Sequence, residues 1–186
     1  MASSSECKLS ELISPVRIQA RVSELGREIS PLLTGGEPWV VLGVLRGAFI
    51  FMADLVRSLT QAVEVDFMRI SSYGPSAASS GRIRLAQPPG MNLRGRSVLL
   101  VDDILDTGLS LSWLKNFLDQ RQAARVYSCV LLDKSASRVV PVTADYVGFA
   151  VPSAFLVGYG LDMDQKFRYL PGIYQVLPPD GETGAV

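Results

Sequence analysis

Histidine is absent from the 186-residue chain. No Ser-His-Asp or Cys-His nucleophile can be assembled from it, and no histidine-ligated metal. Acid–base chemistry would fall to Asp, Glu, Lys or Tyr. A bound metal would be a hard cation held by carboxylates and substrate oxygens, magnesium first. Cysteine is scarce: Cys7 and Cys129 lie far apart and match no zinc spacing. They read as free thiols of a reducing compartment, and a cytoplasmic location is expected. Net charge is missing too, since 18 Lys plus Arg balance 18 Asp plus Glu. General binding to nucleic acid or to a membrane surface is therefore not expected. No apolar run approaches the length of a membrane span; residues 39–45 and 48–55 are short and interrupted. Residues 1–7 contain no basic region leading into an apolar stretch, so no signal peptide is expected.

What is present is a 48% hydrophobic chain, enough for one ordinary domain with a real core. Val16, Ile18, Val22, Leu25 and Ile29 recur at near-helical spacing and predict a helix over residues 15–30. Helices are also predicted over 48–59 and 109–118. Strands are predicted over 40–45, 63–71, 98–102, 126–132 and 146–151. Residues 72–82, rich in Ser, Ala and Gly, read as a mobile loop. Residues 178–186, rich in Pro and Gly, read as a frayed tail. Strands alternating with helices argue for an α/β fold with a mostly parallel twisted sheet and helices on both faces. No internal repeat and no domain linker interrupts the pattern.

The most informative stretch is residues 98–111. Val98, Leu99, Leu100 and Val101 run straight into Asp102 and Asp103; Asp106, Thr107, Gly108 and Ser110 follow, then a helix-like segment. An uninterrupted apolar run is the mark of a strand buried on both faces. The acids are thus expected at the carboxyl end of a central strand, where open α/β sheets bind ligands. Thr107, Gly108 and Ser110 at a helix start offer free N–H groups, a small residue and hydroxyls, a cradle for phosphate.

This segment resembles the phosphoribosyl-diphosphate-binding motif of the type I phosphoribosyltransferases, with the hypoxanthine-guanine branch as the closest match. Further motifs follow the same family pattern, over about residues 40–170. Gly43, Val44, Leu45, Arg46, Gly47 and Ala48 are similar to its pyrophosphate loop. A pyrophosphate needs backbone N–H donors at close range, which only small residues permit. The resemblance implies a cis peptide without proline at Leu45–Arg46; Arg46 departs from the commoner lysine. Ser71, Ser72, Tyr73 and Gly74 resemble a lid whose Ser72–Tyr73 pair closes over the pyrophosphate and excludes water. Leu131, Leu132, Asp133 and Lys134 end a strand; in the family this lysine donates to the oxygen at C6 of a purine, which adenine lacks. The block from Gly148 and Phe149 through Phe155, Leu156, Gly158, Tyr159, Gly160 and Asp162 to Phe167 and Arg168 is similar to the family's C-terminal part.

The resemblance implies a sheet core over about residues 16–148 and a small hood from about 1–15 and 149–177, with the base between them. It implies transfer of ribose 5-phosphate from phosphoribosyl diphosphate to N9 of a 6-oxopurine, giving IMP or GMP and pyrophosphate. Asp102 and Asp103 would hold the ribose hydroxyls and, with Asp162, the magnesium ion. Backbone groups from Asp106 to Ser110, Leu109 included, would hold the 5-phosphate beside Thr107, Gly108 and Ser110. Leu45, Arg46, Gly47, Ser72, Tyr73 and Arg168 would hold the pyrophosphate. Lys134, Phe155, Leu156 and Asp162 would hold the purine, with Phe155 stacked on its ring. Asp106 would take the proton from N7 as N9 attacks. A homodimer or homotetramer is common in the family. Two other readings share these residues: a xanthine- or guanine-preferring transferase, and a phosphoribosyl-diphosphate sensor that regulates RNA or DNA. The second would need a basic face that net zero charge does not supply.

Overall fold

A computed structural model describes residues 8–34, 39–72 and 83–177. Tyr73, the rest of the expected lid loop (74–82) and the expected tail (178–186) lie outside the described residues.

The core is a six-stranded sheet. Its strands are β2 (Trp39–Leu45), β3 (Glu64–Ser72), β4 (Ile83–Gln87), β5 (Ser97–Leu105), β6 (Arg125–Asp133) and β7 (Tyr146–Ala150), ordered β4-β3-β2-β5-β6-β7. All neighbours are parallel except the edge strand β4, which runs against β3. The helices are α1 (Pro15–Ile29), α2 (Phe49–Ser58) and α3 (Leu109–Gln120).

The pattern of burial explains the uninterrupted apolar runs. In β2, Val41 points to one face and Val40 and Leu42 to the other, as the period of two requires. On the first face Val41, Leu99, Val101 and Leu131 meet Ile18, Val22, Leu25 and Ile29 of α1 and Phe51, Met52 and Leu55 of α2. On the second, Val40, Leu42, Leu100 and Val130 meet Leu111, Leu114, Phe117 and Leu118 of α3. A central strand covered on both sides has no solvent face on which to carry a polar residue. Each of these fully buried aliphatic side chains stabilises the fold by roughly 1.5–3 kcal/mol relative to exposure. Pro15 opens α1 at a position where its missing N–H costs nothing. Arg21 ties that helix to β7 by donating to Val147 O at 2.9 Å and Gly148 O at 3.1 Å.

The strand expected to stop at Asp102 instead continues to Leu105, with Ile104 paired to Leu132 and Leu105 to Asp133 of β6. The acid pair therefore lies within the strand close to its carboxyl end, since Ile104 and Leu105 give the strand two more apolar residues to lodge against β6. Four strands have no counterpart in the sequence reading: β1 (Lys8–Ile13), β4, β8 (Leu156–Val157) and β9 (Ile173–Leu177). Strands β1, β9 and β8 form a separate antiparallel sheet in that order, drawn from both ends of the described chain. Among the described residues no helix is long and apolar enough to cross a membrane.

Candidate active site

A cavity of about 470 Å³ opens at the carboxyl ends of β2 and β5, lined by Val44 to Gly47, Ile70, Asp102 to Gly108, Ser110, Leu111 and Asp162. It brings together Leu45, Arg46, Gly47, Asp102, Asp103, Asp106, Thr107, Gly108, Ser110 and Asp162 from the sequence analysis.

One wall is the loop from β5 into α3. Gly108 caps the helix in the left-handed region, at φ +87°. A side chain there would be strained and crowded as well, its Cβ 2.8 Å from Val142 Cγ1 and 3.0 Å from Val140 O. The loop's carbonyls turn outward: Thr107 O accepts from Val139 N at 2.9 Å and Val140 N at 3.1 Å, and Arg138 donates to Asp106 O. With the carbonyls occupied there, the N–H groups of the first turn of α3 are left for an anion, Leu109 N reaching Thr107 Oγ1 only at 3.5 Å.

The opposite wall is the turn after β2, where the Leu45–Arg46 peptide is cis. Gly47 packs against Asp103 so closely that a Cβ would lie 1.5 Å from Asp103 Oδ2. Gly160 in turn sits on Gly47, its own absent Cβ 2.1 Å from Gly47 O.

Between the walls lie Asp102 and Asp103. Asp102 is buried, and Asp103 is half-buried. Asp103 N donates to Asp102 Oδ1 at 3.0 Å and Ile104 N to Asp103 Oδ1 at 2.9 Å. Burial holds the Asp102 carboxyl well above the usual carboxylate range, and the charge of Asp103 raises it further. Burial also raises Asp103, against the pull of its hydrogen bonds and of the Arg168 guanidinium. Two such groups side by side call for a cation or for hydroxyl ligands. The donor set is all oxygen and incomplete, as suits magnesium, which keeps waters and substrate oxygens in its shell.

An acid whose folded pKa is raised is stabilised by the fold in its protonated form. Its contribution is full below the unfolded value and is lost as pH rises from that value towards the folded one. Asp102→Asn keeps the oxygen that accepts from Asp103 N and cannot ionise. In magnesium-free buffer it is expected to melt a few degrees above the unaltered protein at pH 7, with the gap closing towards pH 4. Equal Tm values at pH 7 would contradict the burial argument.

At the base of the loop, Lys134 is buried and its Nζ lies 3.4 Å from Asp106 Oδ2. Its N–H donates to Leu105 O at 2.9 Å, so strand ends β5 and β6 hold the pair in place. Asp106 itself stays partly open to the cavity, its side chain 45% exposed. Arg168 donates to Gly160 O at 2.6 Å and pairs with Asp162 Oδ1 at 2.6 Å. Phe155 is exposed just before β8, and Leu156 is buried in β8 opposite Gln175. Neither lines the cavity. Ser72 ends β3 opposite Ile83. Two residues the sequence reading passed over also act here. Arg138 joins Asp133 to the Asp106 carbonyl. Gln165 joins Arg46 to Arg168. No spacing pattern marks either.

Residues 16–164 match the phosphoribosyl transferase domain family. The chain is 47% identical to the hypoxanthine-guanine phosphoribosyltransferase of Aquifex aeolicus over 169 residues, 91% of this chain and 95% of that one. It is 44% identical to the bifunctional protein TilS/HprT of Listeria innocua, over 91% of this chain and 26% of that longer one. The crystal structure of a hypoxanthine-guanine phosphoribosyltransferase from Bacillus anthracis, 41% identical, superposes with a TM-score of 0.86 over 92% of this chain and all of that one. The sheet order, the acid pair beside an anion cradle and these likenesses agree: the chain belongs to the phosphoribosyltransferase family, in its hypoxanthine-guanine branch.

Proposed function

We propose that the chain transfers ribose 5-phosphate from phosphoribosyl diphosphate to N9 of hypoxanthine or guanine, giving IMP or GMP and pyrophosphate. The observation that carries the reading is the Lys134–Asp106 pair at the edge of the cavity that holds Asp102 and Asp103. The cavity offers a phosphate cradle, acceptors for sugar hydroxyls and an acceptor for a base, Asp106, with the donor Lys134 beside it. Lys134 would donate to the oxygen at C6 of the purine, and Asp106 would accept the N7 proton. Asp102 and Asp103 would accept from the ribose hydroxyls. The N–H groups from Asp106 to Ser110 would bind the 5-phosphate, and Arg46, Gly47 and Arg168 the pyrophosphate. Phe155, its ring exposed, would stack on the base, with Leu156 offering backbone groups to its edge. Asp102 and Asp103, with Asp162, would hold magnesium, which supplies positive charge to the departing pyrophosphate. The protein's own part is orientation and charge placement before the bond breaks. The reading includes a cytoplasmic location, in keeping with the free, buried Cys129 thiol. It also includes a homodimer or homotetramer, in keeping with exposed Phe49, Val65 and Phe67.

Turnover with phosphoribosyl diphosphate, magnesium and each of hypoxanthine, guanine, xanthine and adenine tests the reading. Nucleotide is expected from hypoxanthine and guanine and none from adenine. Equal use of adenine would refute the role of Lys134. Binding of phosphoribosyl diphosphate with no turnover of any base would refute the enzyme.

A further inference from the structure

Two guanidiniums repel each other, and a long side chain facing solvent is disordered unless something holds its tip. Arg46, at the turn after β2, and Arg168, before β9, share one acceptor; Arg168 is also anchored on Gly160 O and Asp162, so the shared acceptor is what ties Arg46 to it. The amide oxygen of Gln165 accepts from Arg46 Nη1 at 2.9 Å and from Arg168 Nη2 at 3.1 Å. Gln165 is itself held. Its N–H donates to Asp162 Oδ2 at 2.9 Å, and Met163 and Lys166 close a tight turn around it by reciprocal backbone bonds of 3.2 and 2.9 Å. The turn requires left-handed backbone at Asp164, Gln165 and Phe167, with φ of +50°, +66° and +71°. Non-glycine residues adopt that region at a cost, and here three of them do so within four positions, which delivers the Gln165 side chain between the arginines. Leu45, Arg46, Phe49, Gln165 and Arg168 line a single recess of about 490 Å³ beside the main cavity.

We propose that Gln165 is a positioning residue: its amide oxygen sets Arg46 and Arg168 as a fixed pair that clamps the pyrophosphate group of the substrate. Guanidinium forks bind phosphoryl oxygens best when their planes are fixed beforehand, since binding then costs less side-chain entropy. The inference rests on the proposed function for the identity of the anion. It assigns Gln165 to affinity for the diphosphate and gives it no part in base choice or in proton transfer.

The test uses Gln165→Met, which keeps the length of the side chain and removes the acceptor, and Gln165→Glu, which restores an oxygen at the same place. Gln165 is exposed, so neither change is expected to disturb folding. KM for phosphoribosyl diphosphate and Kd for magnesium pyrophosphate by calorimetry are each expected to rise about tenfold in Gln165→Met, with kcat within about threefold and KM for hypoxanthine unchanged. Gln165→Glu is expected to return both constants to within about threefold of the unaltered protein. Unchanged KM and Kd in Gln165→Met overturn the proposal, as does a loss confined to kcat or an equal loss in both variants. These outcomes are distinct from failure of the proposed function, in which the unaltered protein itself neither turns over nor binds pyrophosphate, and which would remove both.

Discussion

Asp106→Asn is expected to lower kcat by roughly two to four orders of magnitude, the usual contribution of a positioned general base. The substitution keeps the volume of the side chain and an oxygen for Lys134, whose ammonium lies 3.4 Å from Asp106 Oδ2. It removes the negative charge that faces Lys134 and, with it, the capacity to take a proton. The main chain of this loop is held independently of the side chain, by Arg138 on Asp106 O and by Val139 N and Val140 N on Thr107 O. The anion cradle therefore survives, and KM for phosphoribosyl diphosphate is expected to stay within about threefold. A loss in kcat with KM preserved separates proton transfer from binding. Steady-state kinetics with hypoxanthine would decide the matter, and a kcat within tenfold of the unaltered protein would remove Asp106 from the chemistry.

Gly47→Ala should cost about a hundredfold in kcat/KM, although it adds a single methyl group. The added carbon would lie 1.5 Å from Asp103 Oδ2 and 2.4 Å from its Cγ. Asp103 cannot simply rotate away, because its Oδ1 accepts from Ile104 N at 2.9 Å and its other flank is the buried Asp102. Either the carboxylate or the turn after β2 must shift by about an ångström, and misplacement on that scale is enough for a hundredfold loss. The collision makes a sharper statement possible. If it is the cause, Gly47→Ala added to Asp103→Ala does little further harm, since the group it would strike is gone. The kinetics of both single variants and the double variant test this. Activity of Gly47→Ala within about threefold of the unaltered protein would show that the wall yields.

Apart from β4, the strands and α-helices from α1 to β7 were legible because burial on both faces leaves a plain signature. Val40 to Leu42 and Val98 to Val101 carry no polar residue, and α1 repeats its apolar positions at helical spacing. The strands of the small sheet left no such mark. In β1, three of six residues are exposed and only Ile13 is buried, and β8 has only two residues. Strand β4 lies antiparallel at an edge, where one solvated face and short length blur the pattern. The site divides the same way. Asp102 to Ser110 are contiguous, so one segment, the end of β5 and the loop into α3, displayed the acid pair, the base and the cradle together. Arg138 and Gln165 act on partners 32 and 119 positions away. Arg138 meets a backbone carbonyl, which any residue could provide, and such contacts have no sequence signature.

The small antiparallel sheet also has a bearing on how the protein is made. Lys8 lies opposite Leu177, so β1 finds its neighbour only once β9, at the far end of the described residues, has been synthesised. Asp162, Gln165 and Arg168 lie between β8 and β9 and depend on that late pairing for their place. The phosphate cradle, by contrast, needs nothing beyond the strands and loops that end at β7. A nascent chain can thus assemble its sugar-phosphate pocket before it owns a pyrophosphate clamp, which waits for β9.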